Sequence, residues 1–582
     1  MNRAGLFSSE LDRAWQELTA PGAAFEMETI DLAGVPTRIF RNVPRTVRDL
    51  WLNTQAFGDR DYVIFGNERV TYAEAHNQVA AIANWLVANG IGRGQRVAIA
   101  MRNYPEWMLA YWAAVSVGAC VVGLNAWWTG EELAYALKDS RPALIVCDRE
   151  RMERIRAHVD GAALPRLVVT RIETPPADVV AWRDLLTAGT TMPVADLEPD
   201  DDANIFYTSG TTGVPKGAVL THRNCITNIY NIMFAGQAQS LAARRAGAAA
   251  PQAPPRPVTL IPTPFFHVTG NNCLAYSVTV RGGAMVLMYK WDAGEAIALI
   301  ERERISEVSG VPVMAREILN HPRLPEFDTS SLISLAGGGA SFQQDLIGKV
   351  EQRLSSARPR TGYGMTETSG SVTTISADFL IDRPSSVGRV LPTFDTRLID
   401  EEGQDVAEGE PGELLVRGGA VFRGYLNNPE ANAETITDGW LHTGDLARLD
   451  EDGFLYIVGR QKDMIIRGGE NVYCAEVENS IQQHPDVAEC CVFGIPDERL
   501  GEAVAAAILL APGVPQSTDL ITEYCKDRLA RHKIPSRIWF LDRPIPRNAT
   551  GKFMKRELRA SLTPRHSDGS TEDPLGQNQG GI

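Results

Sequence analysis

The chain has no basic excess. Its 582 residues carry 57 Lys and Arg against 72 Asp and Glu, a formal net charge of −15. That argues against a nucleic-acid partner, whose phosphates want a cationic face, but leaves a local nucleotide site open. Cysteine is also scarce. The eight cysteines form no CxxC pair of the metal-binding kind, and adjacent Cys490 and Cys491 suit a strand packing to both faces better than a disulfide. Reduced thiols in a cytoplasm are the expectation. Glu10 and Asp12 stand where a secretory leader needs an apolar core, Asn2 excludes myristoylation, and Gly580-Gly581-Ile582 is no prenylation box. Internal repeats are missing too. One uncharged run is long, Trp107 to Gly130, but Pro105-Glu106-Trp107 reads as a helix start and Gly118 as a break. Ala119 to Leu124 then reads as a buried parallel strand, so no membrane span is expected and only peripheral contact stays open.

What is present is the composition of an ordinary globular enzyme, 44% hydrophobic and 22% charged. Short β-rich runs at Val97–Ala100, Leu144–Cys147 and Arg166–Val169 are separated by helix-length segments. The alternation predicts an α/β fold, a large N-terminal domain of sheets layered with helices. An Ala/Arg/Pro/Gln-rich stretch, 237–257, reads as a surface excursion. From about residue 395 short strands and tight turns take over, with hairpin signals at Asp400-Glu401-Glu402-Gly403 and Asp450-Glu451-Asp452-Gly453, which predicts a small β-barrel-like subdomain. After Gly459 a compact α+β unit begins, and from Leu562 the chain loses apolar content. The expected domains are therefore 1–460, 461–561 and a disordered 562–582.

The polar clusters carry the chemistry. Thr208-Ser209-Gly210-Thr211-Thr212-Gly213-Val214-Pro215-Lys216-Gly217 follows apolar Ile205-Phe206 and combines hydroxyls, glycines and one lysine. Glycine lets backbone N–H groups approach an anion, and Lys216 adds charge, so this is a polyphosphate loop. A Walker A loop needs Gly-Lys-Ser/Thr, whereas Lys216 precedes Gly217. Next, Gly337, Gly338 and Gly339 precede Thr361-Gly362-Tyr363-Gly364-Met365-Thr366-Glu367. Glycines clear room for a flat ligand, Tyr363 offers a ring for adenine, and Glu367 offers a hard carboxylate for the Mg2+ that accompanies ATP. Asp445, in Trp440-Leu441-His442-Thr443-Gly444-Asp445, suits the two hydroxyls of a ribose. Arg460 can pin a phosphate or a ribose, and Lys462 sits where a hinge would lie. A late lysine, Lys552, follows a turn in Asn548-Ala549-Thr550-Gly551; taken alone it reads as a solvated surface group.

In this order and spacing the clusters resemble the AMP-forming acyl-CoA synthetases of the adenylate-forming superfamily, over roughly residues 45 to 560. The resemblance implies two half-reactions, acyl-adenylate formation with release of pyrophosphate and then transfer to CoA, with ATP, Mg2+ and CoA as partners. It implies a mobile C-terminal domain hinged at Lys462. It also implies that Thr366 contacts the α-phosphate, that Lys552 bridges carboxylate and α-phosphate, and that Gly468 and Gly469 pass the pantetheine arm. On the acid side it places His267, with Val311 and the Gly337 floor, at the acyl pocket, though His267 equally suits a core position. Val308 to Pro312 and the glycine floor are small and apolar, so the expected acid is a medium- or long-chain fatty acid first and an aryl or terpenoid acid second. Loading of a separate carrier protein, and a nucleotide-binding regulator without catalysis, share the same motifs. Oligomeric state is not legible.

Overall fold

The computed structural model describes residues 3–161, 164–208, 214–248, 256–339, 342–354, 356–468, 470–547 and 552–563. The chain forms two compact units. One comprises 1–342, 346–443 and 449–456, the other 343–345, 444–448 and 457–582.

The first unit bears out the α/β expectation. One of its sheets holds six parallel strands in the order Val180–Ala181, Arg166–Thr170, Leu144–Asp148, Arg96–Ala100, Cys120–Gly123 and Asp202–Thr208. Two antiparallel strands, Lys216–Thr221 and Gly424–Tyr425, complete its edge. The uncharged run resolves as expected. Pro105 starts the helix Pro105–Ser116, all of whose residues are buried, and Gly118 takes φ +82° in the turn that follows. Strand Cys120–Gly123 is buried throughout. Among the described residues no helix is long and apolar enough to cross a membrane.

The second sheet of this unit is centred on parallel strands Asp61–Phe65, Ala284–Leu287, Val258–Ile261, Glu307–Gly310, Ser334–Gly337 and Arg358–Met365. Glu68–Thr71 and Gly370–Ser376 flank them antiparallel. Strand ends at Gly310, Gly337 and Met365 thus share the carboxyl edge, where parallel sheets open a crevice for ligands. Both hairpin signals are turns: Gly403 and Gly453 adopt φ +77° and +76°, donating to Asp400 O and Asp450 O.

Residues 237–245 depart from the expected surface excursion. They continue the helix His222–Arg245, which starts in a capping box between Thr221 and Asn224. Ala238, Gln239 and Ala242 are buried. Gln239 Nε2 donates to Thr374 O at 3.0 Å, and Oε1 accepts from Ser376 N–H at 2.9 Å, so the Ala-rich stretch is a packing face. Residues 249–255 lie outside the described residues.

In the second unit the sheet runs Glu470–Val472, Ile465–Arg467, Gly501–Leu510, Val487–Asp497, with Arg537–Leu541 beside Gly501–Leu510. Cys490 packs in the core with helices Cys474–Gln482 and Thr518–Lys526, while Cys491 packs in the opposite core with Leu558 of helix Lys555–Leu562. That is the two-faced strand read from the Cys-Cys pair. All eight cysteines are free. The tail from residue 564 lies outside the described residues.

Candidate active site

In the first unit Lys216, expected to serve a polyphosphate, is placed by strand pairing. Thr208 and Lys216 are register partners at the end of an antiparallel pair, and Thr208 Oγ1 donates to Lys216 O at 3.4 Å. Loop residues Ser209, Gly210, Thr211, Thr212 and Gly213 lie outside the described residues. The loop therefore joins strand to strand. A Walker A loop opens a helix and adds that helix's dipole to the anion; here the chain enters a second strand at Lys216 instead.

Lys216 Nζ stands 5.1 Å from the centroid of the Tyr425 ring, and Tyr425 OH donates to Glu367 Oε1 at 2.6 Å. Tyr425 reaches this position because Ala218 and Tyr425 are paired on adjacent strands. Burial, and then the Glu367 charge, push the Tyr425 pKa well up, so it remains a donor. Glu367 itself is 6% exposed and sits in the single turn Thr366–Thr368 after strand Arg358–Met365. Its carbonyl accepts from Phe422 N–H at 2.8 Å, which pins the turn. Thr366, also buried, precedes it. Lys216, Tyr425, Thr366 and Glu367 are thus one cluster of cation, phenol, hydroxyl and carboxylate. The donor set fits Mg2+, which takes one or two carboxylates and fills its other positions with water and phosphate oxygens. Among the described residues no group of three side chains could hold a metal by itself.

The glycines separate into two kinds. A Cβ on Gly364 would lie 1.7 Å from Gly370 O, and one on Gly337 would lie 2.4 Å from Phe342 Cδ2. Close packing of the protein itself requires both. A Cβ on Gly338 would meet nothing within 4 Å among the described residues, and neither would one on Gly339, which has φ +76°. Gly338 N–H donates to Gly310 O, and Thr361 Oγ1 donates to Gly337 O, both at 2.9 Å, so this open backbone is firmly held. Tyr363 is half-buried, its N–H donating to Thr373 Oγ1 at 3.1 Å.

Of the residues expected at the acyl pocket, Val311 caps the helix Pro312–Asn320 and is 7% exposed. His267 is half-buried just before the π-helical turn Thr269–Ala275, and its Nδ1 accepts from Thr269 N–H at 3.3 Å. Single π turns often mark functional positions. The same turn carries Cys273, whose Sγ is 4.0 Å from Ser371 Oγ.

Arg360, a half-buried residue of the strand leading to Thr366, is a group that sequence reasoning missed. It lies within electrostatic range of Glu307, Arg281 and Cys273. Burial lowers its pKa against the pull of Glu307. Arg281 and Glu307 form a bidentate pair, 2.7 Å at both contacts. The sheet face carrying Ser309, Ala336 and Arg360 therefore bears a charged group.

In the second unit, Asp445 is 4% exposed and paired with Arg460, Nε to Oδ1 at 2.9 Å. Lys462 follows in the turn Gln461–Asp463, its pKa lowered by burial and by Arg460. Gly468, at φ +62°, opens a tight turn between Ile465–Arg467 and Glu470–Val472, and its N–H donates to Leu500 O. Gly469 and 548–551 lie outside the described residues. Lys552 is exposed immediately before Phe553, which bridges back to Arg547.

Comparison with known proteins agrees with this architecture. Residues 50–426 match the AMP-binding enzyme model, and 476–552 match the AMP-binding enzyme C-terminal domain. The chain is 36% identical to a feruloyl-CoA synthase of Amycolatopsis sp over 497 residues, 85% of this chain and 94% of that protein. It is 32% identical over 516 residues to a 2-succinylbenzoate–CoA ligase of Bacillus cereus, covering 88% and 97% respectively. The crystal structure of anthranilate CoA ligase AuaEII with anthranoyl-AMP superimposes with a TM-score of 0.80 at 25% identity, over 89% of this chain and 98% of that one. The chain belongs to the AMP-binding enzyme family, among its AMP-forming carboxylate–CoA ligases.

Proposed function

We propose that the chain activates an aromatic carboxylic acid. The acid's carboxylate oxygen attacks the α-phosphorus of ATP, the bond to the β-phosphate oxygen breaks, and pyrophosphate leaves. The CoA thiol then loses its proton and attacks the acyl carbon, and AMP departs with the bonding electrons. The observation that carries the aromatic reading is the 36% identity to a feruloyl-CoA synthase across 94% of that protein. The sheet face bearing Arg360 supports it, because a long methylene chain gains nothing from lying against a guanidinium. The aryl acid, second in the sequence reading, thereby moves ahead of the fatty acid.

The residue roles follow from the chemistry each group offers. Lys216 and the 208–213 backbone receive the β- and γ-phosphates. Glu367, oriented by Tyr425, would hold Mg2+, which when bound would neutralise phosphate charge. Thr366 donates to the α-phosphate. Gly338 and Gly339 leave their open backbone to the nucleotide, and Tyr363 covers adenine. His267, Val311 and Gly337 border the acid. Asp445 takes the ribose hydroxyls, with Arg460 holding it in place. Lys552 serves the first half-reaction, and Gly468 with Gly469 the second.

ATP–pyrophosphate exchange over benzoates, cinnamates and medium- and long-chain fatty acids tests the reading, followed by thioester detection by mass with CoA. Aromatic acids are expected to exceed fatty acids by at least about tenfold in kcat/KM, the size of one well-placed pocket contact. The reverse order overturns the aromatic assignment. Exchange without thioester assigns a carrier protein as acceptor in place of CoA.

A further inference from the structure

Behind the proposed acid site stands a charge that the two half-reactions do not use. Arg360 lies four residues before Gly364 on its strand, roughly 13 Å at about 3.3 Å per residue. Its register partner Ala336 pairs in turn with Ser309. Arg360 and Ser309 therefore face the same side of the sheet, about 10 Å apart across two strand spacings. Cys273, on the turn that follows His267, is within electrostatic range of the same guanidinium.

The local charges do not cancel. Arg281 is fully engaged: both its terminal nitrogens donate to Glu307 at 2.7 Å, and its Nε donates to Ser277 O at 2.8 Å. Glu307 also accepts from Thr259 Oγ1 at 3.3 Å. Two guanidinium groups thus face one carboxylate, and among the described residues Arg360 makes no hydrogen bond or ion pair. Five N–H donors in a fork, partly removed from water and without an acceptor, are an arrangement that proteins keep where an anion completes it.

We propose that Arg360 recognises a second carboxylate, carried at the far end of the aromatic acid that the chain activates. The guanidinium fork would take it bidentately, on the sheet face that also carries Ser309. The inference rests on the aromatic-acid reading and narrows it to acids whose two carboxylates are separated by about the length of a phenylpropanoid.

Matched pairs that differ only in the distal charge provide the test: 3-(4-carboxyphenyl)propanoate against 3-(4-methylphenyl)propanoate, and 4-carboxycinnamate against 4-methylcinnamate. The readouts are AMP release and thioester mass. The wild-type chain is expected to favour the dicarboxylates at least tenfold in kcat/KM. Arg360→Met is expected to lower that preference at least 30-fold, the scale of removing one partner of a desolvated charge pair. It should also raise the rate on the methyl isosteres, because the unpaired cation is gone. Arg360→Lys should keep part of the preference, since it retains charge without the fork. An equal fall on both series in Arg360→Met, together with a lower Tm, makes Arg360 a structural cation and overturns the inference. Wild-type preference for the methyl isosteres overturns it too, while leaving the aromatic-acid reading intact. If no aromatic acid of either series yields AMP, that reading fails and this inference falls with it.

Discussion

Replacing Gly338 by alanine adds one methyl group where the protein has left room. Its Cβ would meet nothing within 4 Å among the described residues, and its φ lies outside the left-handed region. Folding should therefore tolerate the change, and the smaller entropy of the unfolded chain contributes about 0.4–1 kcal/mol in its favour. Tm should stay level or rise by a few degrees. If the nucleotide lies against this backbone, the same methyl overpacks the bound state, at about 1–3 kcal/mol. That converts to a rise of roughly 5- to 150-fold in the KM for ATP, read by pyrophosphate exchange at saturating acid. Gly364→Ala is the contrasting case, since its Cβ would sit 1.7 Å from Gly370 O, a backbone atom that cannot yield. It should lower Tm sharply or prevent folding whether or not ATP is present. An unchanged ATP KM in well-folded Gly338→Ala refutes the placement of the nucleotide, however active the enzyme is.

Three further outcomes are expected. Tyr425→Phe removes the 2.6 Å donor to Glu367 and keeps the ring beneath Lys216. The loss of about 1.5–3 kcal/mol for a hydrogen bond to a charged group should raise the Mg2+ concentration needed for half-maximal exchange about tenfold or more; an unchanged Mg2+ titration rules out Tyr425 as a positioning residue. Lys552→Ala should slow acyl-adenylate formation by about two to three powers of ten and spare thioester formation from supplied acyl-adenylate, so equal losses in both steps would falsify the role given to it. His76 and His222 are both buried, and burial lowers each pKa from 6.5 to about 4. The unfolded chain then binds more protons between pH 6.5 and 4, so stability present above 6.5 is lost as pH falls through that window, by up to about 3 kcal/mol per histidine. Denaturant melts between pH 7 and 4 should show this slope, and His76→Phe, which keeps a ring stacked on Trp51, should flatten it by about half; a flat profile in the wild type removes both histidines from the account.

How much the sequence disclosed depends on how far apart the cooperating residues lie. Buried apolar runs such as Val97–Ala100 need no distant partner to declare a strand, and the Asp/Gly turns at 400–403 and 450–453 are equally local. Lys216 and Glu367 stand out in the sequence because glycine, hydroxyl and charge occur within a few residues of each. Tyr425 was not, because it joins them only through the pairing of Ala218 with Tyr425 across the sheet edge. Residues 237–245 were misread for a related reason. Their alanines and arginines suggested a loop, but the helix that contains them is nucleated by the Thr221–Asn224 box well upstream, and a helix once begun continues at little cost through alanine and glutamine.

Arg360 is the sharpest case of this dependence on distance. In sequence it is one arginine among several between Arg353 and Tyr363, and nothing nearby sets it apart. Its significance arises only when parallel pairing brings residues 307 to 310 and 334 to 337 alongside, and when Arg281 claims the neighbouring Glu307 for itself. That register sets Arg360 level with Ala336 and Ser309, at the far end of its strand from Met365. On the proposed reading, choice of acid lies on strand Arg358–Met365 and the reaction chemistry in the turn that follows it. A substitution at Arg360 can therefore change which acid is preferred without touching Thr366 or Glu367.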